Sequence, residues 1–289
     1  MSRLLAYLGP PVRLSDLLHD PLRSPLRGWQ RVPTREAIGG FGIGWYVPEV
    51  TRQPALIRTV RAPWADANLR SLAEVSRSPC VVCHLREGDD LPNPGRHDTL
   101  LFAQAERLEA DGALRRPVLE SLSDEAFASV GHTHGGNLVF GLLLDLLWAR
   151  PEPRAHMRLA GALNEVAWRL VATLQERAPG AGLRLNAVLA DGDHLVACRF
   201  AWNETRLPAT LLYRNDPFYT RARPPSRRAR ERSITTMIAS EAEPGDDGWH
   251  EIPPGHLVLA DRDVPPQHFE MRPRGLRPVR APDPTGGGV

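Results

Sequence analysis

The sequence predicts an α+β protein in which helices cover stacked sheets. Three observations carry this: strand-like runs at both ends of the chain, two long helical stretches between them, and a hairpin signal at Asp191-Gly192. Residues 4–8 are apolar and stop at Gly9-Pro10-Pro11, so a strand is expected at the very start. Residues 11–38 are rich in Pro and Arg and are expected to be loop. In residues 41–47, Gly42 and Gly44 alternate with large side chains, the pattern of a buried strand approached closely by its neighbours. Residues 56–60, 81–86 and 99–103 add strands. Residues 66–76 form a helix, with Leu69, Leu72, Ala73 and Val75 as its apolar positions.

Residues 134–148 and 157–174 are the long helices. In the second, Met157, Ala160, Leu163, Ala167, Leu170, Val171 and Leu174 recur at spacings of three and four, and Pro179-Gly180 ends it. Residues 183–189 and 194–200 flank the hairpin turn. Strands follow at 210–213, 235–239, 256–260 and 268–271. Residues 220–232 are a basic stretch best read as a solvated insertion. The chain has no internal repeats.

Composition narrows the function classes. With 289 residues, 42% hydrophobic and 24% charged, the chain can bury a core and is not disordered throughout. Its longest apolar stretch, 138–148, is broken by Gly141 and Asp145 and falls well short of the roughly 20 residues a membrane helix needs. No secretory leader pattern opens the sequence, so a cytoplasmic protein is expected. A net charge of +2 gives no reason to expect a nucleic-acid partner. All 36 basic residues are arginine, which excludes lysine Schiff-base chemistry. Three cysteines, Cys80, Cys83 and Cys198, do not make a disulfide framework.

Three features carry possible chemistry. Cys80-Val81-Val82-Cys83-His84 has haem-attachment spacing. On a strand, however, alternation puts Cys80, Val82, His84 and Arg86 on one face and Val81, Cys83 and Leu85 on the other, so the two thiols cannot share a ligand. Cys83 is then a small buried apolar residue. His132 and His134 precede a helix and, with His84, are a conceivable metal or anion pocket; the flanking glycines compete as an anion nest. Ser2 follows the initiator Met. With Met1 removed, its free α-amine, with a pKa of about 8, can serve as base for its own hydroxyl.

Taken together, several segments resemble the class II glutamine amidotransferases of the N-terminal nucleophile hydrolase superfamily. They are similar above all to the branch that includes the γ-glutamyl-hercynylcysteine sulfoxide hydrolase of ergothioneine biosynthesis. The segments are residues 2–9 (SRLLAYLG), 40–46 (GFGIGWY), 63–69 (PWADANL), His84-Leu85-Arg86, Asp191-Gly192, Ile238-Ala239-Ser240-Glu241 and Gly248-Trp249. The resemblance implies a four-layer αββα sandwich of two antiparallel sheets in a single domain, residues 1–272. The Pro-, Arg- and Gly-rich residues 273–289 are expected to be a disordered tail.

The same resemblance marks departures. The family nucleophile is cysteine where this chain has Ser2. The oxyanion run Ser-His-Asn-Gly corresponds to Ala103-Gln104-Ala105-Glu106, so a side-chain donor is lost at Ala105 and a carboxylate stands at Glu106. The aspartate that binds the substrate amine becomes His134, and a pocket threonine becomes Asp89. An upstream Asn-x-Asp-Gly run reads Ala37-Ile38-Gly39-Gly40, without its polar residues. Arg86, the carboxylate clamp, is kept.

The first reading is therefore an amidotransferase-like protein with impaired or lost glutaminase activity, acting as a binding or partner subunit or on an altered γ-glutamyl-type ligand. The alternative is a Ser2-nucleophile amidohydrolase on a γ-glutamyl or related amide. Expected ligand-binding residues are Arg86, His84, His134 and Asp89. The expected partner is a small γ-glutamyl-type molecule or another protein. No cofactor, resident metal, nucleic acid or membrane is expected.

Overall fold

A computed structural model describes residues 2–20, 24, 26, 29, 38–87, 94–106, 108, 111–130, 135–149, 155–203, 207–215, 234–242, 245, 248–262 and 264–280. The first half of the chain contains β1 (Arg3–Arg13), α1 (Leu14–Leu18), β2 (Ile38–Val47), β3 (Thr51–Thr59), α2 (Ala67–Val75), β4 (Arg77–Glu87), β5 (Gly95–His97) and β6 (Leu100–Gln104). Helices α3 (Asp111–Ser121), α4 (Asp124–Val130), α5 (Gly135–Ala149) and α6 (Ala155–Arg177) follow. The chain then returns to strands β7 (Leu183–Ala190), β8 (His194–Trp202), β9 (Leu212–Asn215) and β10 (Thr236–Ala239). The last are β11 (His250–Glu251), β12 (His256–Asp261), β13 (Gln267–Arg272) and β14 (Gly275–Val279).

The described strands form two seven-stranded sheets, ordered β11-β9-β10-β1-β4-β2-β3 and β14-β13-β12-β8-β7-β6-β5. Neighbours pair antiparallel throughout, as at Leu5↔Ala239 and Leu101↔Ala190. Period-two alternation sorts each strand between two cores. Leu4, Ala6, Leu8, Cys80 and Val82 of the first sheet pack between the sheets against Leu101, Ala103, Val188 and Ala197 of the second. The opposite faces, Leu5, Tyr7, Val81 and Cys83, pack outward on Leu14, Leu17, Leu69 and Ala73 of α1 and α2. The outer face of the second sheet, with Phe102, Leu185 and Cys198, is covered by Leu143, Leu163, Val166 and Leu170 of α5 and α6. This is the expected αββα sandwich.

Glycine lets the layers close. A Cβ on Gly44 would stand 2.6 Å from the Leu101 side chain, far inside van der Waals contact. Cys80 and Cys83 fall on opposite faces, as the alternation requires.

Several expectations are corrected. β1 does not stop at Gly9-Pro10-Pro11: residues 9–11 bulge between the pairs Leu8↔Cys80 and Val12↔Ser78, and pairing resumes. A bulge tolerates proline because its residues owe no N–H to the ladder. Residues 14–18, expected to be loop, form a helix that buries Leu14, Leu17 and Leu18. The tail does not begin at 273. Gly275–Val279 pairs with β13 as the edge strand β14, where the proline at 278 is tolerated; residues 281–289 lie outside the described residues. The basic stretch 220–232 does too. No helix among the described residues is long and apolar enough to cross a membrane.

Candidate functional site

The site is built on the first strand. Arg3 pairs with Leu85 and Leu4 with His84. β1 begins at Arg3, and continuing its register by one row puts Ser2 opposite Arg86. Gly40 of β2 flanks Arg86 on its other side and adds no side chain to the row. By alternation, Ser2, His84 and Arg86 share the face of Leu4 and Val82, which looks into the space between the sheets. Ser2 and Arg86 are half-buried, and His84 is 0% exposed beneath them. Burial, and then the Arg86 charge, push the His84 imidazole down to about 3, so it is neutral near pH 7 and forms a polar floor, not a cation.

The facing sheet is placed by two contacts. The Tyr46 hydroxyl donates to the Thr99 carbonyl at 2.7 Å, and Leu101 packs on Gly44. Ala105, partly buried, packs against the apolar cluster between the two sheets. The expected oxyanion segment thus borders the space between the sheets. The Ala105 N–H is already given to the Asn186 carbonyl at 2.9 Å, which leaves it unsuited to hold an oxyanion.

Glu106 is held by its neighbours. One carboxylate oxygen accepts the Ala209 N–H at 2.9 Å. The Ala209 carbonyl accepts from Asn186 Nδ2 at 2.7 Å and from Arg199 Nε at 3.0 Å. Arg199 also donates to the Pro208 and Ile252 carbonyls and pairs with Glu251. Three side chains thus pin the backbone of one residue, Ala209, through the peptide groups on either side of it. Sequence reading missed Asn186 and Arg199; a buried arginine on a strand, 3% exposed here, was the available signal.

His132, His134 and Asp89 lie outside the described residues, and with them the proposed histidine pocket. Among the described residues, no group of three or more His, Cys, Asp or Glu side chains could hold a metal ion. A groove of about 1020 Å³ between α6 and the β13–β14 hairpin, lined by Leu146, Met157, Trp168 and Leu276, sits in the outer helical layer and gathers none of the expected site residues.

Comparison with known proteins fits this geometry. The family model for class-II glutamine amidotransferases matches residues 20–274. The chain is 28% identical over 280 residues to the γ-glutamyl-hercynylcysteine sulfoxide hydrolase of Mycolicibacterium smegmatis, covering 94% of this chain and 100% of that one. It is 23% identical to the probable glutamine amidotransferase DUG3 of Saccharomyces cerevisiae, covering 91% and 83%. Among solved structures, a glutamine aminotransferase class-II domain protein from Silicibacter pomeroyi superposes with a TM-score of 0.62 at 22% identity, covering 91% of this chain and 98% of that one. Glutamine phosphoribosylpyrophosphate amidotransferase from B. subtilis superposes at 0.54 and 10% identity, covering 96% of this chain and 49% of that one. At such identities the solved structures speak to the fold.

Proposed function

The chain belongs to the class II glutamine amidotransferases, and from that premise we propose that it is an amidohydrolase that cleaves a γ-glutamyl-type amide with Ser2 as nucleophile. The observation that supports this reading is the β1–β4 register, Arg3↔Leu85 and Leu4↔His84, which continued by one row pairs Ser2 with Arg86. A nucleophile and a cation so paired suit a substrate with a carboxylate at one end and an amide at the other. The kinship with γ-glutamyl hydrolases supports the same choice.

The chemistry then runs on the N-terminal residue. Met1 is removed and the Ser2 α-amine is neutral near pH 8. It takes the hydroxyl proton as Oγ attacks the amide carbon, and the carbonyl oxygen becomes the oxyanion. Backbone N–H groups supply the oxyanion hole. The C–N bond breaks as the α-ammonium returns its proton to the leaving amine, leaving a γ-glutamyl ester on Ser2. Water, deprotonated by the same amine, hydrolyses the ester. A serine hydroxyl needs this base more than a thiol would. Arg86 binds the substrate carboxylate through paired N–H donors.

The second reading is a binding or partner subunit without turnover, favoured by the missing side-chain donor at Ala105; loss of one such donor costs about 10²–10³ in rate. At Glu106 one carboxylate oxygen accepts the Ala209 N–H, which speaks against that oxygen facing an oxyanion. Intact mass and hydrolysis of γ-glutamyl-p-nitroanilide separate the two. Loss of Met1 with turnover of about 1 s⁻¹ is expected; a retained Met1 removes the base and the first reading with it.

A further inference from the structure

The end of a strand is where a sheet frays, yet the proposed chemistry places its nucleophile one residue before β1 begins. Two devices prolong the ladder there. The Ser240 N–H donates to the Leu4 carbonyl at 3.0 Å. The return bond is made by the side chain: the Leu4 N–H donates to Ser240 Oγ at 2.8 Å. In the next row Arg3, 8% exposed, is joined to Glu241 by an ion pair. Both devices come from the segment just after β10, which pairs with β1 through Leu5↔Ala239. Arg3 lies on the outer face of the sheet with Leu5, so its guanidinium does not occupy the cleft that Ser2 faces.

We propose that Ser240 and Glu241 are positioning residues for Ser2: they hold Arg3 and Leu4 in extended pairing so that the Ser2 hydroxyl and α-amine stay fixed beside Arg86. This rests on the Ser2 reading. The pairing also sets the charge around the amine. Among the described residues, Arg3 and Arg86 are its cationic neighbours along β1 and β4, Glu241 offsets Arg3, and His84 is neutral. Losing the Glu241 charge leaves Arg3 uncompensated, which favours the neutral amine and moves its titration to lower pH.

The chain offers an unusually clean test. It contains no lysine, so after Met1 removal the Ser2 α-amine is its one primary amine, and acylation by an N-hydroxysuccinimide ester reports on that group alone. Wild type, Ser240→Ala, Glu241→Gln and the swap Arg3→Glu/Glu241→Arg would be compared. Four quantities are read: melting, Leu4 amide exchange, the pH dependence of α-amine acylation, and kcat and KM on γ-glutamyl-p-nitroanilide. With the fold retained, both single variants are expected to speed Leu4 exchange about fivefold or more. They should lower kcat by about tenfold to a hundredfold with little change in KM, because small misplacement of a reacting group is costly. Glu241→Gln should also shift the acylation profile to lower pH, and the swap should restore kcat and Leu4 protection. Faster Leu4 exchange with unchanged kcat and an unchanged acylation profile would make the pair a structural staple and overturn the proposal. So would unchanged Leu4 exchange, or a rise in KM alone. If wild type turns over no γ-glutamyl amide, the catalytic reading falls by itself; exchange and acylation then decide the positioning claim. If Ser240→Ala does not fold, Glu241→Gln, whose side chain is 43% exposed, decides it.

Discussion

At the Cys80 end of the space between the sheets, carboxylates gather round a histidine; at the Ser2 end, some six residues or about 20 Å along β1, a buried histidine has an arginine for its charged neighbour. At the Cys80 end the Tyr46 hydroxyl donates to Thr99 and lies 3.0 Å from the Ala190 carbonyl. His194 Nδ1 lies 3.0 Å from Asp191, its Nε2 lies 3.7 Å from Asp261, and Arg262 reaches the Gly192 carbonyl. The two histidines record the difference. The bond to Asp191 raises His194 despite burial, with the charges of Asp191, Asp261 and Asp193 adding to it. Burial and Arg86 lower His84. Burial tends to raise Asp191, but the His194 ring, its charge and two backbone N–H groups outweigh it and hold this carboxyl below its usual range. The same strand pairing thus builds one end where His194 is raised by carboxylates and another where His84 is lowered by burial and an arginine.

Substitutions at each end sharpen this contrast. The largest effect is expected from Ser2→Ala, which should lower γ-glutamyl-p-nitroanilide hydrolysis by about 10⁴ while melting is little changed. Arg86→Ala should raise KM about tenfold to a hundredfold, with kcat changed less. At the closed end Gly192→Ala should act on stability and not on rate. Gly192 has φ +96°, and a Cβ there would stand 2.8 Å from Tyr46, so a loss of about 2–4 kcal/mol in denaturant unfolding is expected.

Glu106→Ala leaves the Ala209 N–H unpaired and should cost about 1–3 kcal/mol. A gain in hydrolysis from Glu106→Gly would instead mean that the carboxylate opposes the oxyanion. The smallest effects concern pH. Because His194 is raised in the fold, its contribution is complete below the unfolded pKa of about 6.5 and is lost as pH rises through the folded value. The stability difference between wild type and His194→Gln should therefore shrink on the alkaline side. His84 is lowered, so its neutral burial costs stability as pH falls from about 6.5 toward 3, with a slope near 1.4 kcal/mol per pH unit. Urea midpoints across pH 3 to 9 check both signs.

Much of the sandwich was legible because it rests on period: alternation sorted Cys80 from Cys83 and put Arg86 on the cleft face, and the 3.6 repeat gave α6. Local signals misled where pairing overrode them. Gly9-Pro10-Pro11 is a stop in sequence but a bulge in the sheet. Gly275–Val279 has the composition of a tail yet finds an edge to pair with. α3, with Pro117 inside it, gave no clear helical period. At the candidate site, Ser2 is singled out by its position after Met1 and Arg86 by the His84-Leu85-Arg86 run, and Arg86 lies on β4, which pairs directly with β1. The cage of Asn186, Arg199 and Glu106 around Ala209 could not be read, since it joins residues 103 apart in sequence that meet only when the sheets are stacked.

Labelling the nucleophile tests the central claim most directly. Purified protein would be treated with a glutamine analogue bearing a diazoketone in place of its carboxamide, then digested and mapped by mass spectrometry. The account predicts a peptide that begins at residue 2, carries one adduct on Ser2, and loses the adduct in Ser2→Ala. A peptide that still carries Met1, or an adduct that persists elsewhere in Ser2→Ala, would contradict it.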